Sequence, residues 1–245
     1  MTSVVAWAAL LLGGLGFLGS LAGVIIQVAP RQFTAAQIRQ ITDWESAKRW
    51  RTVPAGKIFP ATVSYAPPAA LEDDTALALT ARRIGIASQA PCRAATDNAA
   101  AAILVKNHCR ALLRATYTDA TDSYVVTVGA AALPSAAAAE AAQRQLVSEG
   151  TATGGGPTVH AVHFNGTPAA EFSNARRQVS GVLAAGAYVV LYTIGYADSR
   201  PRQPVTSDSY GYAEMTSFGS GVAHAVLSVL GQPVKTPSCP GAPGC

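Results

Sequence analysis

From Val4 to Ala29 the chain runs 26 residues without a charged side chain. A helix that crosses the hydrocarbon core of a bilayer needs about 20 apolar residues, each adding about 1.5 Å. The bilayer offers no partners to open backbone groups, so such a segment has to be helical. The competing reading is a cleaved signal peptide. Against it stand the missing basic n-region, the length of the apolar run, and Pro30 directly after the small-residue end Val28-Ala29. The expectation is an uncleaved transmembrane anchor over residues 1–30. Gly19 and Gly23 form a small-xxx-small pair at which two membrane helices can approach closely. Association with a second copy or another membrane protein is one reading of that pair, and chance spacing is the other.

Two signals for orientation conflict. No Lys or Arg precedes the apolar run, whereas Arg31, Arg39, Lys48, Arg49 and Arg51 follow it. The positive-inside bias alone puts the rest of the chain in the cytoplasm. The cysteines argue otherwise. Cys92, Cys109, Cys239 and Cys245 are even in number, which in an anchored protein suggests disulfides. The tail CPGAPGC would be a reactive liability in a reducing compartment. No Cys-x-x-Cys spacing occurs, so zinc is not expected. One straight helix over 93–108 would hold its ends about 24 Å apart. A disulfide needs Cα atoms within about 7 Å. A direct Cys92–Cys109 bridge therefore requires the helix to start late and the chain to fold back. Pairing of one of them with the tail is the alternative. The cysteine argument outweighs the charge bias here, and the large domain is expected to be extracytoplasmic.

Residues 31–53 read as a juxtamembrane amphipathic helix. Thr34 and Gln37 resemble a capping box, and Ile38, Ile41 and Trp44 recur at helical spacing. Trp44, Lys48, Arg49, Trp50 and Arg51 suit the headgroup level of a bilayer. A plain helical stalk packed on the domain explains the same residues equally well. The net charge is +4 and the sequence pI about 9.0. The basic residues form no patch and no recognition motif is present, so nucleic acid is not expected.

Residues 54–235 read as an α+β domain, closed by a Pro/Gly/Cys tail over 236–245. Pro60 limits the extended stretch from Ile58 to Tyr65 to a sheet edge or an irregular strand. Glu72-Asp73-Asp74 read as a solvated loop, because no calcium-loop spacing follows them. Leu77 to Ala87 is ambiguous between helix and strand. Asp97 or Thr96 caps a helix running to Asn107. Arg110 to Thr118 alternates as a strand with one buried face, and Ser123 to Leu133 returns from it. Pro134-Ser135 start an alanine-rich helix to about Val147. Thr158 to Phe164 is expected as a strand. The 17 residues from Gly181 to Ala197 contain a Gly-bearing turn and many β-formers. They are read as part of a buried hairpin, and not as a second membrane span. Met215, Phe218, Val222, Ala225 and Val229 mark one face of a last helix, ended by Gly231 and Pro233. SYVVTVGAAAL and AYVVLYTIGYA share Tyr-Val-Val, which is either an old duplication or ordinary strand composition. A mostly antiparallel sheet with helices packed on one face fits this order.

No catalytic constellation is assigned. His160 and His163, three apart on a strand, point to opposite faces and do not share a metal. Ser220 and His224 are one helical turn apart and suggest a hydrolase only if an acid joins them. Gly219-Ser220-Gly221 is not a Gly-x-Ser-x-Gly elbow, and its glycines read better as helix packing sites. No cofactor motif is found, and ATGGGP lacks the Lys-Ser/Thr of a phosphate loop.

Three stretches carry a resemblance: ITDWESAKRWRTVPAGKIFPATVSY, ALTARRIGIASQAPC and LLRATYTDATDSYVVTVGAAALPSAAAAEAAQRQL. Over most of residues 38–148 the chain resembles a group of uncharacterised actinobacterial single-pass membrane proteins. These have an anchor, a Trp- and Arg-bearing stalk and a Cys-bearing outer domain. The fold class is also similar, at the level of analogy, to extracytoplasmic sensor domains of actinobacterial receptor kinases. The resemblance implies an anchored extracytoplasmic domain that binds a ligand, senses it, or serves an envelope complex, and it brings no catalytic residues. Two alternatives stand beside it. One is an envelope hydrolase using Ser220 and His224, the other a cytoplasm-facing scaffold tethered by the same helix.

Overall fold

The computed structural model describes residues 33–68, 78–150, 156–198, 200–203, 206 and 209–232. The expected anchor with Gly19 and Gly23, the acidic trio, and the tail cysteines Cys239 and Cys245 lie outside them. The chain divides into two compact units, Asp43–Val234 and a second made of Met1–Thr42 with Lys235–Cys245. Helix α1 (Ala35–Thr52) begins in the second unit with the expected capping box. The Thr34 N–H donates to Gln37 Oε1 at 2.9 Å, and the Gln37 N–H donates to Thr34 Oγ1 at 3.3 Å. Among the described residues no helix is long and apolar enough to cross a membrane.

The unit from Asp43 is built on six strands: β1 (Thr62–Tyr65), β2 (Leu79–Ala90), β3 (Ala111–Asp119), β4 (Tyr124–Ala132), β5 (Val179–Ala185) and β6 (Tyr188–Tyr196). They pair antiparallel throughout, in the order β1-β2-β3-β4-β6-β5. The ambiguous stretch near Leu77 to Ala87 is strand β2, held between β1 and β3. Pro60 precedes edge strand β1, after the single turn α2 (Ala55–Ile58). The β5–β6 hairpin turns at Gly186, whose φ of +55° favours a residue without Cβ.

The helices are α3 (Cys92–Ala95), α4 (Asn98–Lys106), α5 (Ala136–Glu149) and α6 (Tyr210–Leu230). They pack on both faces of the sheet, which corrects the expectation of one covered face. Toward α6 point Val126, Val128 and Ala130 of β4 with Tyr188, Val190, Tyr192 and Ile194 of β6, packed around Phe218 and Val222. Toward α4 and α5 point Ala131 and Leu133 with Val189 and Leu191, packed around Leu104, Ala142 and Leu146. The physical reason is in the central strands, where neither face carries a charge and each must be covered. Strand β3 is likewise buried on both sides, not one: Leu112 and Thr116 are as enclosed as Ala115 and Tyr117.

Thr158 to Phe164 does not add a strand, a second correction. Val159 makes a single bridge to Thr96. The segment crosses the sheet face and satisfies its backbone with groups far away in the chain. The His160 N–H donates to the Ala95 carbonyl at 2.8 Å, and the Val162 N–H to Thr127 Oγ1 at 3.0 Å. Thr116 Oγ1 donates to the Val162 carbonyl at 2.8 Å. Threonine hydroxyls thus replace the ladder that a seventh strand would have supplied.

The echoed Tyr-Val-Val strands are the neighbours β4 and β6. Val128 pairs with Tyr192 at the midpoint, and Tyr124 and Tyr188 lie equally far from that pair. A two-fold axis through it and normal to the sheet would leave the following helices on the same face. They lie on opposite faces, so the whole hairpin-plus-helix unit does not repeat.

Candidate functional site

The disulfide Cys92–Cys109 is formed, with Cα atoms 6.3 Å apart. Its geometry follows from the capping chemistry between the two cysteines. Helix α3 stops at Thr96, which is extended, and α4 starts only after Asp97. Asp97 Oδ1 accepts from the Ala100 N–H at 3.0 Å, while Oδ2 accepts from the Thr158 N–H at 2.9 Å and pairs with Arg177 at 3.2 Å. The chain therefore doubles back, as a direct bridge demands.

Ser220 and His224 lie with Ser64, Ser217 and Ser228 along a groove between β1 and α6, about 440 Å³ in volume. The Ser220 hydroxyl donates to the Ser217 carbonyl at 3.2 Å, within its own helix. No Asp or Glu is among the described residues lining this groove. The neighbouring glycines are packing sites, as expected: a Cβ on Gly219 would stand 2.6 Å from Ile194 and Tyr192, and one on Gly221 2.3 Å from Tyr65. His160 and His163 lie on the irregular segment over the sheet. Among the described residues no group of three or more His, Cys, Asp or Glu is placed to hold a metal.

The expected headgroup residues divide. Trp44 is 60% exposed, with the Lys48 ammonium 3.5 Å from its ring centre, and the Arg51 side chain is exposed beside Trp50. Arg49 and Trp50 turn toward the domain. Arg49 donates to the carbonyls of Leu230 and Gln232, and Trp50 packs, partly buried, against the core that holds Tyr188 and Phe218.

A different cavity, of about 230 Å³, opens where β1, the β3–β4 turn and the start of α6 converge. Tyr65 reaches it because Gly221 lets α6 press against the end of β1, where the rings of Tyr65 and Phe218 lie 5.5 Å apart. Asp119 closes the β3–β4 turn. Its Oδ1 accepts from the N–H groups of Ser123 and Tyr124, both at 2.8 Å, and its Oδ2 accepts from the N–H and hydroxyl of Thr121. Tyr124 donates its hydroxyl to Glu214 Oε2 at 2.7 Å, joining β4 to α6.

The electrostatics are one-sided. Two carboxylates line the cavity, and no Lys or Arg lines it among the described residues. Burial pushes the Tyr65 phenol up to about 12, helped by the charges of Asp119 and Glu214. Burial and then the bond to Glu214 hold the Tyr124 phenol above its ordinary range as well. Beside the cavity the rings of Tyr124 and Tyr196 are 5.5 Å apart, and the Arg200 guanidinium lies 4.2 Å over the Tyr196 ring. Tyr65, Asp119 and Glu214 are not legible as a site in the sequence. Tyr124 and Glu214 stand 90 positions apart. The local signal is confined to the Asp-Ala-Thr-Asp turn, which reads only as a turn.

Compared with known proteins, the chain matches no protein-family model, no curated protein and no solved structure.

Proposed function

We propose that the protein is a membrane-anchored, extracytoplasmic binding protein, a sensor or an accessory subunit of an envelope complex, held by an anchor at residues 1–30. The observation that carries this reading is the Cys92–Cys109 disulfide, since disulfides persist in oxidising compartments and are rare where thiols are kept reduced. The uncharged run from Val4 to Ala29 supports the anchor, and the exposed Trp44 and Arg51, with the half-buried Lys48, suit a headgroup zone. The concave cavity at Tyr65, Tyr124 and Glu214 supports binding as the activity.

The test is thiol accessibility in intact cells. A membrane-impermeant maleimide is applied before and after a reductant. Labelling of Cys92 and Cys109 only after reduction, without permeabilisation, is the expected result. Thiols that label only after permeabilisation, with no reductant, would return the domain to the cytoplasm and leave a tethered scaffold as the better reading.

A further inference from the structure

We propose that the open edge of β1, with the groove between it and α6, binds an uncharged extended peptide strand of another protein. This rests on the reading of the chain as a binding or accessory protein and names the chemistry of its partner.

β1 ends the six-stranded sheet, so one side of it has no strand beside it. One hydrogen bond fixes which backbone groups point to that side. The Arg83 N–H donates to the Ala61 carbonyl at 2.9 Å, and Thr62 stands opposite Arg82. Bonded and non-bonded pairs alternate along an antiparallel ladder. Val63 and Tyr65 therefore bond to β2, while Thr62 and Ser64 turn their N–H and C=O groups outward. The fold closes this edge at both ends. Pro60 has no N–H, and its carbonyl accepts from the Tyr117 hydroxyl at 3.0 Å. The Ala66 carbonyl accepts from the Ser217 hydroxyl of α6. Between these ends the outward groups of Thr62 and Ser64 meet no described residue, and both residues are exposed. Two donors and two acceptors remain, repeating every second residue. What matches them is another extended backbone, whose groups recur at the same spacing of about 7 Å.

A strand added there runs beside α6. Every second side chain of it points to the face that holds Val63 and Tyr65, into the groove of about 440 Å³. Ser217, Ser220, Gly221 and His224 form the helix wall, and no Lys, Arg, Asp or Glu lines the groove among the described residues. A charged side chain would enter without a counter-charge, whereas serine or threonine meets hydroxyls and an imidazole. The groove also separates a peptide from a second copy of this chain. The Val63 and Tyr65 side chains of a second β1 are already buried in their own core, so that strand has none to offer the groove.

The experiment uses the full chain in detergent micelles, labelled with nitrogen-15, and reads the backbone amides of Thr62 and Ser64. The probe is the peptide Ac-Thr-Val-Ser-Val-Thr-NH2, with two analogues. One is N-methylated at both valines, the other at the serine and the last threonine. Only alternate amides of an added strand face β1. The expected result is saturable binding of the parent, slowed exchange of the Thr62 and Ser64 amides, and loss of binding in one analogue alone. Ser64→Pro removes an outward N–H and spares the ladder to β2, so it should weaken binding about fivefold or more. Thr62→Pro stands in if Ser64→Pro does not fold. A probe with lysine in place of its serine should bind more weakly than the parent. No binding, equal binding of both analogues, a lysine probe as tight as the parent, or unchanged affinity in the proline variant would overturn the proposal. Amides of Thr62 and Ser64 already protected without peptide, in a particle holding two chains, would overturn it too and give the edge to a second copy. None of these failures touches the compartment, which the thiol labelling reads separately.

Discussion

The Tyr188 hydroxyl donates to the Ser46 carbonyl at 2.8 Å and accepts from the Trp50 N–H at 3.0 Å, so one side chain of β6 engages both ends of a single turn of α1. Tyr188 is fully buried. Tyr188→Phe keeps the ring and deletes both contacts. The expected cost is about 1–3 kcal/mol, the range for buried groups stripped of a partner. A lower urea midpoint should accompany faster amide exchange in α1 from Ser46 to Trp50. An unchanged midpoint would show the hydroxyl to be idle.

The approach of α6 to β1 depends on Gly221. A Cβ there would lie 2.3 Å from the Cβ of Tyr65 and 3.0 Å from its ring, and neither atom is a flexible end. Gly221→Ala should destabilise by about 1–3 kcal/mol through overpacking. Gly56 in α2 is a control, since a Cβ there meets nothing within 4 Å. Gly56→Ala should change stability by less than about 1 kcal/mol, in the stabilising direction if at all. Thermal melts of the two variants against the parent make the comparison.

The disulfide closes a loop with a sequence separation of 17. A bridge of that span stabilises by about 3 kcal/mol when its effect is constraint of the unfolded chain. Replacing both cysteines by alanine, or adding reductant, should lower the urea midpoint with the helical signal retained in native buffer. Equal midpoints with and without reductant would remove this contribution.

Alkaline pH should unfold the domain in a defined window. Burial raises the phenols of Tyr65, Tyr188 and Tyr192 to about 12 each. The unfolded chain loses those protons near pH 10. Below pH 10 both states hold them and stability does not depend on these groups. Above it the unfolded state ionises first. Stability should fall from pH 10 until the folded pKa values near 12 are passed, by roughly 2 kcal/mol for the fully buried Tyr188 and by less for Tyr65 and Tyr192. Denaturation midpoints between pH 9 and 12, with ultraviolet titration of tyrosinate, test it. A flat profile across that range would mean that these phenols ionise without unfolding.

Features written in adjacent residues are legible in the chain itself. The capping box of Thr34 and Gln37, the Asp97 and Ser135 caps, the Gly186 turn and the confinement of β1 after Pro60 each depend on groups a few residues apart. Thr158 to Phe164 misleads for the same reason in reverse. Its Thr, Val and Phe residues favour a strand. Its backbone partners are hydroxyls of Thr116 and Thr127 on distant strands, which those residues do not announce.

By itself the sequence determined most element types, the hairpins and the antiparallel α+β class, because capping, turn chemistry and hydrophobic period act over a few residues. Only the tertiary structure decided that helices cover both sheet faces, that Cys92 joins Cys109, and that Tyr65 meets Tyr124 and Glu214 around one cavity. Those outcomes come from packing between segments far apart in the chain. A strand with no charge on either face demands two covers without saying which helix supplies each. A carboxylate on α6 comes to line a cavity with Tyr65 of β1 only where Gly221, about two turns further along the helix, lets α6 close on that strand.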